Sequence, residues 1–164
     1  MKRVYVGESA IHRRGMIASR DIPKGGFVVF IQGPMRHLLV KNKRQSLGHP
    51  NWIGISKHTW IDPKPPCKYL NHSCNPTAGV RGRIKIYALR AIKKGEEVTV
   101  DYSIIEPNLL WEMRCNCGAK NCRKIIRSIQ SLPRAVYTSY TPYVPTYFQK
   151  LYARAHSGSH ARKK

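Results

Sequence analysis

Tyr69-Leu70-Asn71-His72-Ser73-Cys74-Asn75-Pro76 and Cys115-Asn116-Cys117-Gly118-Ala119-Lys120-Asn121-Cys122 are the stretches on which the reading of this chain turns. Three thiols packed into the second stretch can be drawn together by tight turns, and Gly118 frees the backbone to fold back around them. In a reducing compartment that spacing reads as metal ligands rather than a disulfide frame. Tetrahedral structural zinc takes four ligands, so three thiolates want a fourth. Cys74, in the first stretch, is one candidate and His72 is its rival. The plainer reading, unliganded buried thiols, fits this density poorly because such thiols are open to oxidation. Cys67 lies outside the cluster and reads as a plain small residue.

Outward from these stretches the chain is written in short β-strands. Arg20-Asp21-Ile22-Pro23-Lys24-Gly25-Gly26-Phe27-Val28 and Arg90-Ala91-Ile92-Lys93-Lys94-Gly95-Glu96-Glu97-Val98 resemble each other, and both read as strand, Lys-Gly turn, strand. Arg83 to Leu89 alternates Ile84, Ile86 and Ala88 with polar neighbours, the period of a half-buried strand. Val4 to Val6, Met16 to Ser19, Phe27 to Ile31, Trp52 to Ser56 and Thr59 to Ile61 are further candidates, separated by Gly, Pro and Asn. Residues 32 to 50 read as an inserted basic loop with a short helix near Arg36 to Lys43. A helical turn is expected over Glu106 to Arg114, a Pro- and Tyr-rich irregular stretch from Leu132 to Tyr147, and a frayed basic tail from Ala153 to Lys164.

Three motifs, in this order and spacing, resemble a known family: Tyr69 to Pro76, then Gly95-Glu96-Glu97-Val98-Thr99-Val100-Asp101-Tyr102, then the cysteine cluster running into Arg123. The chain is similar to SET-domain protein lysine methyltransferases with a post-SET zinc motif, and its size and ending look like compact stand-alone members of prokaryotic, archaeal or viral type. The resemblance implies a mostly β fold with short helices, built of small curved sheets with a knot-like threaded segment and a zinc-binding tail. Its expected parts are a SET domain over 3–104, a post-SET segment over 105–126 and a basic Tyr/Pro-rich extension over 127–164.

The same resemblance implies S-adenosylmethionine as methyl donor, with Tyr102 catalytic and Arg14, Gly15, Met16, Asn71, His72 and Trp111 around the cofactor. It makes Cys74, Cys115, Cys117 and Cys122 the zinc ligands. Tyr69, Trp52 and Trp60 are possible walls of a lysine channel, although strand aromatics are more often core. Related enzymes often place a tyrosine hydroxyl beside the catalytic tyrosine to hold a water where further methyl groups would go. Val100 and Val80 stand at the two places where such a tyrosine can arise, so methylation beyond the first group is expected. Two glycines frequent in the family are missing: Arg13 replaces the first of a Gly-x-Gly, and Lys124 follows Cys122-Arg123. If the Arg13 position needs a positive φ or a close backbone approach, arginine is strained there; alternatively its side chain meets the cofactor carboxylate directly.

Thirty Lys and Arg stand against eight Asp and Glu, a net charge of +22 in 164 residues. Solubility alone asks for a magnitude of about 2 to 8. A polyanion is the natural counter-charge, so nucleic acid is expected as a non-specific partner, while the resemblance implies a histone or other basic chromatin protein as substrate. A non-catalytic, zinc-stabilised chromatin or nucleic-acid adaptor is the alternative. No signal-like or membrane-spanning stretch stands out, so an intracellular, chromatin- or nucleoid-associated monomer is the expectation. Ala161-Arg162-Lys163-Lys164 resembles a substrate tail, which raises automethylation at Lys163 or Lys164.

Overall fold

The computed structural model describes residues 2–38 and 51–157. In chain order the strands are β1 (Val4–Glu8), β2 (Arg14–Ala18), β3 (Phe27–Phe30), β4 (Met35–His37), β5 (Ile53–Ser56), β6 (Thr59–Ile61), β7 (Asn71–His72), β8 (Ala78–Arg81), β9 (Lys85–Ala88), β10 (Glu97–Val100), β11 (Glu112–Arg114) and β12 (Ile125–Arg127). Two helices follow, α1 (Arg134–Tyr140) and α2 (Thr146–His156), and 3-10 turns occupy Cys67–Tyr69, Tyr102–Ile105 and Ile129–Ser131. The strands form small separate sheets, ordered β1-β2-β10-β7, β3-β9-β8, β4-β6-β5 and β11-β12. Among the described residues all strand pairings are antiparallel except that of β10 with β7, which sets Thr99 beside Asn71 and Val100 beside His72. That one parallel pairing joins two of the three sequence motifs.

The two sequence repeats pair with each other about a local two-fold relation. Ile22 and Ile92 exchange backbone hydrogen bonds at 2.8 and 2.9 Å. Each Lys-Gly turn then reaches across to the strand ahead of the other repeat: Gly25 N–H donates to Ala88 O and Gly95 N–H to Ala18 O, both at 2.8 Å. Both glycines need their backbone freedom, with φ of 74° and 83°. Ile22, Ile92, Met16, Val98 and Ile86 are essentially inaccessible and fill the core between the sheets.

The extension after residue 127 is part of this core rather than an irregular appendage. Tyr140, Val144, Phe148 and Tyr152 are all buried and share the main apolar cluster with Val98, Val100 and Ile104. Tyr143 lays its carbonyl on the N–H of Val80 at 2.9 Å. A Cβ on Gly79 would sit 2.6 Å from that carbonyl oxygen, so Gly79 has no side chain where the extension passes. Pro133 and Pro145 cap the two helices from outside, where their missing N–H costs nothing.

Further expectations are corrected. The helical turn falls at Tyr102–Ile105, ahead of Glu106, because Asp101 caps it by accepting from Ser103 N–H and Pro107 cannot continue it. Glu112–Arg114, expected at the end of a helical turn, is instead a strand paired with β12. Ala153 to His156 belong to α2, where burial of Phe148 and Tyr152 holds them, and are not a frayed tail. Near the expected helix of Arg36 to Lys43, Met35–His37 is a strand paired with β6. The rest of that segment, the basic run to Arg44, and Lys163 and Lys164 lie outside the described residues.

Candidate active site and metal centre

Asn71 gathers the cofactor-side residues around one point. Its side-chain nitrogen lies 2.9 Å from Arg14 O, 2.7 Å from Glu97 Oε1 and 3.1 Å from Ser9 Oγ, three acceptors for its two hydrogens. Ser9 donates in turn to the Glu97 carboxylate at 2.8 Å and accepts from Ile11 and His12 N–H, which shapes the loop into β2. A Cβ on Gly15 would lie 2.3 Å from Glu97 Oε1, so glycine is what lets the carboxylate approach the backbone there. Arg14 is exposed; its guanidinium stacks over the Tyr69 ring, 5.0 Å from the centroid, and donates to Tyr69 Oη at 3.3 Å. Met16 turns its side chain into the core. A carboxylate, an amide and a guanidinium gathered at one point offer acceptors and donors that fit the amino and carboxyl ends of an amino-acid-like cofactor.

Tyr102 stands next to this cradle. Its hydroxyl donates to Leu70 O at 2.8 Å and its N–H donates to His72 Nδ1 at 3.1 Å. Burial, then the negative charge of Glu97, pushes the phenol well above its usual range, so it keeps its proton at neutral pH. With that proton committed to Leu70, the oxygen lone pairs are what the hydroxyl offers a substrate. Burial pulls His72 down to about 4, with Asp101 opposing and Arg123 reinforcing, so the ring is neutral. Because Nδ1 accepts from Tyr102, the ring proton sits on Nε2, 3.3 Å from Cys74 Sγ.

The cysteines meet below His72. The ligand atoms of His72, Cys74, Cys115 and Cys117 lie within 4.8 Å of one another. Cys122 joins the same small apolar cluster and bonds to Cys115 O at 3.4 Å. Backbone N–H groups point at the sulfurs, Cys74 N–H at Cys117 and Arg123 N–H at Cys74, both 3.4 Å. Burial raises the Cys117 thiol, but the N–H groups of Cys74 and Ala119 and the thiols of Cys115 and Cys122 outweigh it and bring it to about 7. Thiols gathered from separate segments, one of them readily ionised and served by backbone donors, fit a structural zinc. With its proton on Nε2, His72 donates to the Cys74 sulfur and stays within reach of the same cluster.

The remaining aromatics divide between roles. Trp111 packs with Met113, Ile126 and the cysteines, on the metal side. Trp60 is buried and Trp52 is half-buried.

Sequence reasoning missed the groups behind Tyr102. Asp101 is fully buried and takes both carboxylate oxygens to Arg123 Nη2 at 2.6 Å. Its Oδ2 also accepts from the hydroxyl of Tyr140 at 3.1 Å. An acid directly following the strand Glu97–Val100 and preceding Tyr102 was the available signal, since a carboxylate that becomes buried must find a cation and donors.

The SET domain family matches residues 13–103. Histone-lysine N-methyltransferase 2B of Homo sapiens is 33% identical over 138 residues, which cover 75% of this chain and 5% of that protein. The chain thus spans a small fraction of that relative's length. Among solved structures, KRYPTONITE in complex with mCHH DNA, H3(1-15) peptide and SAH has a TM-score of 0.59 at 23% identity, covering 76% of this chain and 29% of that one. ctPRC2 in an autoinhibited conformation bound to S-adenosylmethionine has a TM-score of 0.51 at 22% identity, covering 65% of this chain and 16% of that one. With the match spanning both the Asn71-His72 motif and the Asp101-Tyr102 motif, this chain belongs to the SET-domain family.

Proposed function

We propose that this chain is a protein-lysine N-methyltransferase that uses S-adenosylmethionine, modifies a histone or other basic chromatin protein, and carries the product beyond one methyl group. The observation that carries the reading is the placement of the Tyr102 hydroxyl, fixed on Leu70 O one residue before Asn71 gathers Arg14, Gly15 and Glu97. S-adenosylmethionine supplies a methyl group on a sulfonium, open to in-line attack by an uncharged amine. Glu97 and Asn71 would bind the amino end of the cofactor and Arg14 its carboxylate. His72 would add its backbone, and Trp111 would cover the site from the metal side.

The target lysine must lose its proton, and an aromatic, poorly hydrated surrounding lowers its pKa from about 10.4. Tyr102, its own proton held by Leu70, orients the neutral amine through an oxygen lone pair. Cys74, Cys115, Cys117 and Cys122 would hold zinc, and metal binding would supply the folding energy that the short polar segment lacks. Val80 and Val100 are fully buried and bring no hydroxyl to retain a water, which supports multiple methylation.

The charge supports a chromatin setting: no Asp or Glu follows Glu112, while Lys and Arg recur to the end of the chain. Phosphate neutralisation would then give tight nucleic-acid binding at low salt that falls steeply as salt rises. Among the described residues no helix is long and apolar enough to cross a membrane. The test is incubation with methyl-labelled S-adenosylmethionine and a panel of basic proteins that includes histone H3. Label on lysine is expected, and its absence from every protein in the panel would overturn the reading.

A further inference from the structure

We propose that the C-terminal extension braces the active site, with Tyr140 of α1 as a positioning residue that fixes the Asp101–Arg123 pair behind Tyr102. The inference rests on the methyltransferase reading for its effect on rate and on geometry alone for its effect on order. Asp101 precedes Tyr102 directly and caps the turn that begins there, accepting from Ser103 N–H at 3.0 Å. The direction of its carboxylate therefore sets the start of the turn that holds Tyr102. That carboxylate has 0% exposure, and a buried charge keeps one orientation only when partners hold it.

The partners come from three different parts of the chain. Ser103 is local, Arg123 belongs to the cysteine segment, and Tyr140 belongs to the extension beyond the residues 13–103 that the family match covers. The Tyr140 hydroxyl lies 3.1 Å from Asp101 Oδ2 and 3.5 Å from Cys74 O, so it stands between the acid and a cysteine of the metal centre. Asn121 donates to the same Cys74 carbonyl at 3.0 Å. One hydroxyl thus ties extension, cysteine segment and the turn carrying Tyr102 into a single network.

The extension is seated firmly enough to serve as a brace. Val144 and Phe148 have 0% exposure, and Gly79 is shaped for the passing Tyr143 backbone. Removing only the hydroxyl, in Tyr140→Phe, keeps this packing and frees one side of Asp101. A hydrogen bond to a charged group is worth about 1.5–3 kcal/mol, or roughly tenfold or more in whatever it controls.

The experiment compares Tyr140→Phe with Phe148→Leu, a core change in α2 that does not touch Asp101, at a temperature where both are folded. Two readouts are taken on the full chain: kcat and KM for a histone peptide, and amide hydrogen exchange at residues 101–105 and 121–124. For Tyr140→Phe a kcat lowered at least tenfold is expected with KM changed less than threefold. Exchange should quicken at both segments and not in β1 or β9. Phe148→Leu should keep kcat within twofold. Unchanged exchange at both segments in Tyr140→Phe overturns the brace, and so does an equal loss of kcat in Phe148→Leu. If the wild type transfers no methyl group, the methyltransferase reading fails while the exchange comparison still decides the brace.

Discussion

The backbone N–H of Tyr102 donates to Nδ1 of His72 at 3.1 Å, and that single bond directs the ring's own proton toward Cys74. It links the proposed catalytic tyrosine to the cysteine cluster through one imidazole. It gives His72 and the cysteines different expected roles, the ring as support to a ligand and the thiols as ligands.

Metal content should follow this division. Zinc is expected at one per chain, lost in Cys117→Ser and in Cys122→Ser. His72→Gln should retain the ion with affinity about 10–100-fold weaker, the usual cost of losing a hydrogen bond to a ligand. Elemental analysis with chelator competition measures both effects. Loss of zinc in His72→Gln together with retention in Cys122→Ser would make His72 the fourth ligand.

Arg13 and Lys124 are, among the described residues, the non-glycine residues with positive φ, at 44° and 63°. An L side chain in this region costs about 1–2 kcal/mol, part of which glycine returns through its freer unfolded chain. Arg13→Gly and Lys124→Gly are each expected to stabilise the protein by about 0.5–1 kcal/mol, whereas the alanine variants should not. Denaturant midpoints at constant slope report the difference.

Burial pushes the Glu106 carboxyl up to about 7, against the N–H of Asn108, which lowers it. The folded state holds this proton more tightly than the unfolded chain, so the group's stabilising effect is complete below the ordinary carboxylate pKa of about 4.3. It is lost as pH rises through about 7. Glu106→Gln should therefore gain on the wild type between pH 4.5 and 8, by an amount on the order of 3 kcal/mol. Unfolding titrations of both proteins at pH 5 and pH 8 test this, and an equal gap at the two pH values would remove it.

Product multiplicity should respond to Val100, which is fully buried beside the turn holding Tyr102. Wild type is expected to pass monomethyl-lysine with excess cofactor, and Val100→Tyr to shift the product toward fewer methyl groups. Mass spectrometry at low conversion and at completion distinguishes the two. A wild-type reaction that stops after one methyl group would contradict it.

The strands were legible because their signals are local. The repeat around Lys24-Gly25 and Lys94-Gly95 carried its turns in plain residues, and Ile84, Ile86 and Ala88 alternated as a half-buried strand must. The pairing of the two repeats was not legible, since a bridge between Ile22 and Ile92 leaves no pattern in either segment. The helices of the extension were hidden by composition, although Tyr140, Val144, Phe148 and Tyr152 recur every four residues and all are buried. That spacing was present to be read, but Pro142 and Pro145 interrupt it and suggest irregular chain. At the site, the motif residues could be named in advance, whereas Asp101, Arg123 and Tyr140 meet only through tertiary contact. Sequence distance between Tyr140 and Asp101 says nothing of a hydrogen bond at 3.1 Å.

The account turns on Tyr102, and the most direct test is the single-turnover rate of methyl transfer to a histone peptide by wild type and Tyr102→Phe. Intact mass follows the reaction, and S-adenosylmethionine binding is measured separately. Loss of the hydroxyl removes the group that orients the amine, and misplacement of a reactant on this scale costs about a hundredfold. The predicted result is a transfer rate lowered by about that factor with cofactor affinity within a few-fold of wild type. Transfer by Tyr102→Phe at the wild-type rate, or a wild type that binds the cofactor and methylates nothing, would contradict it.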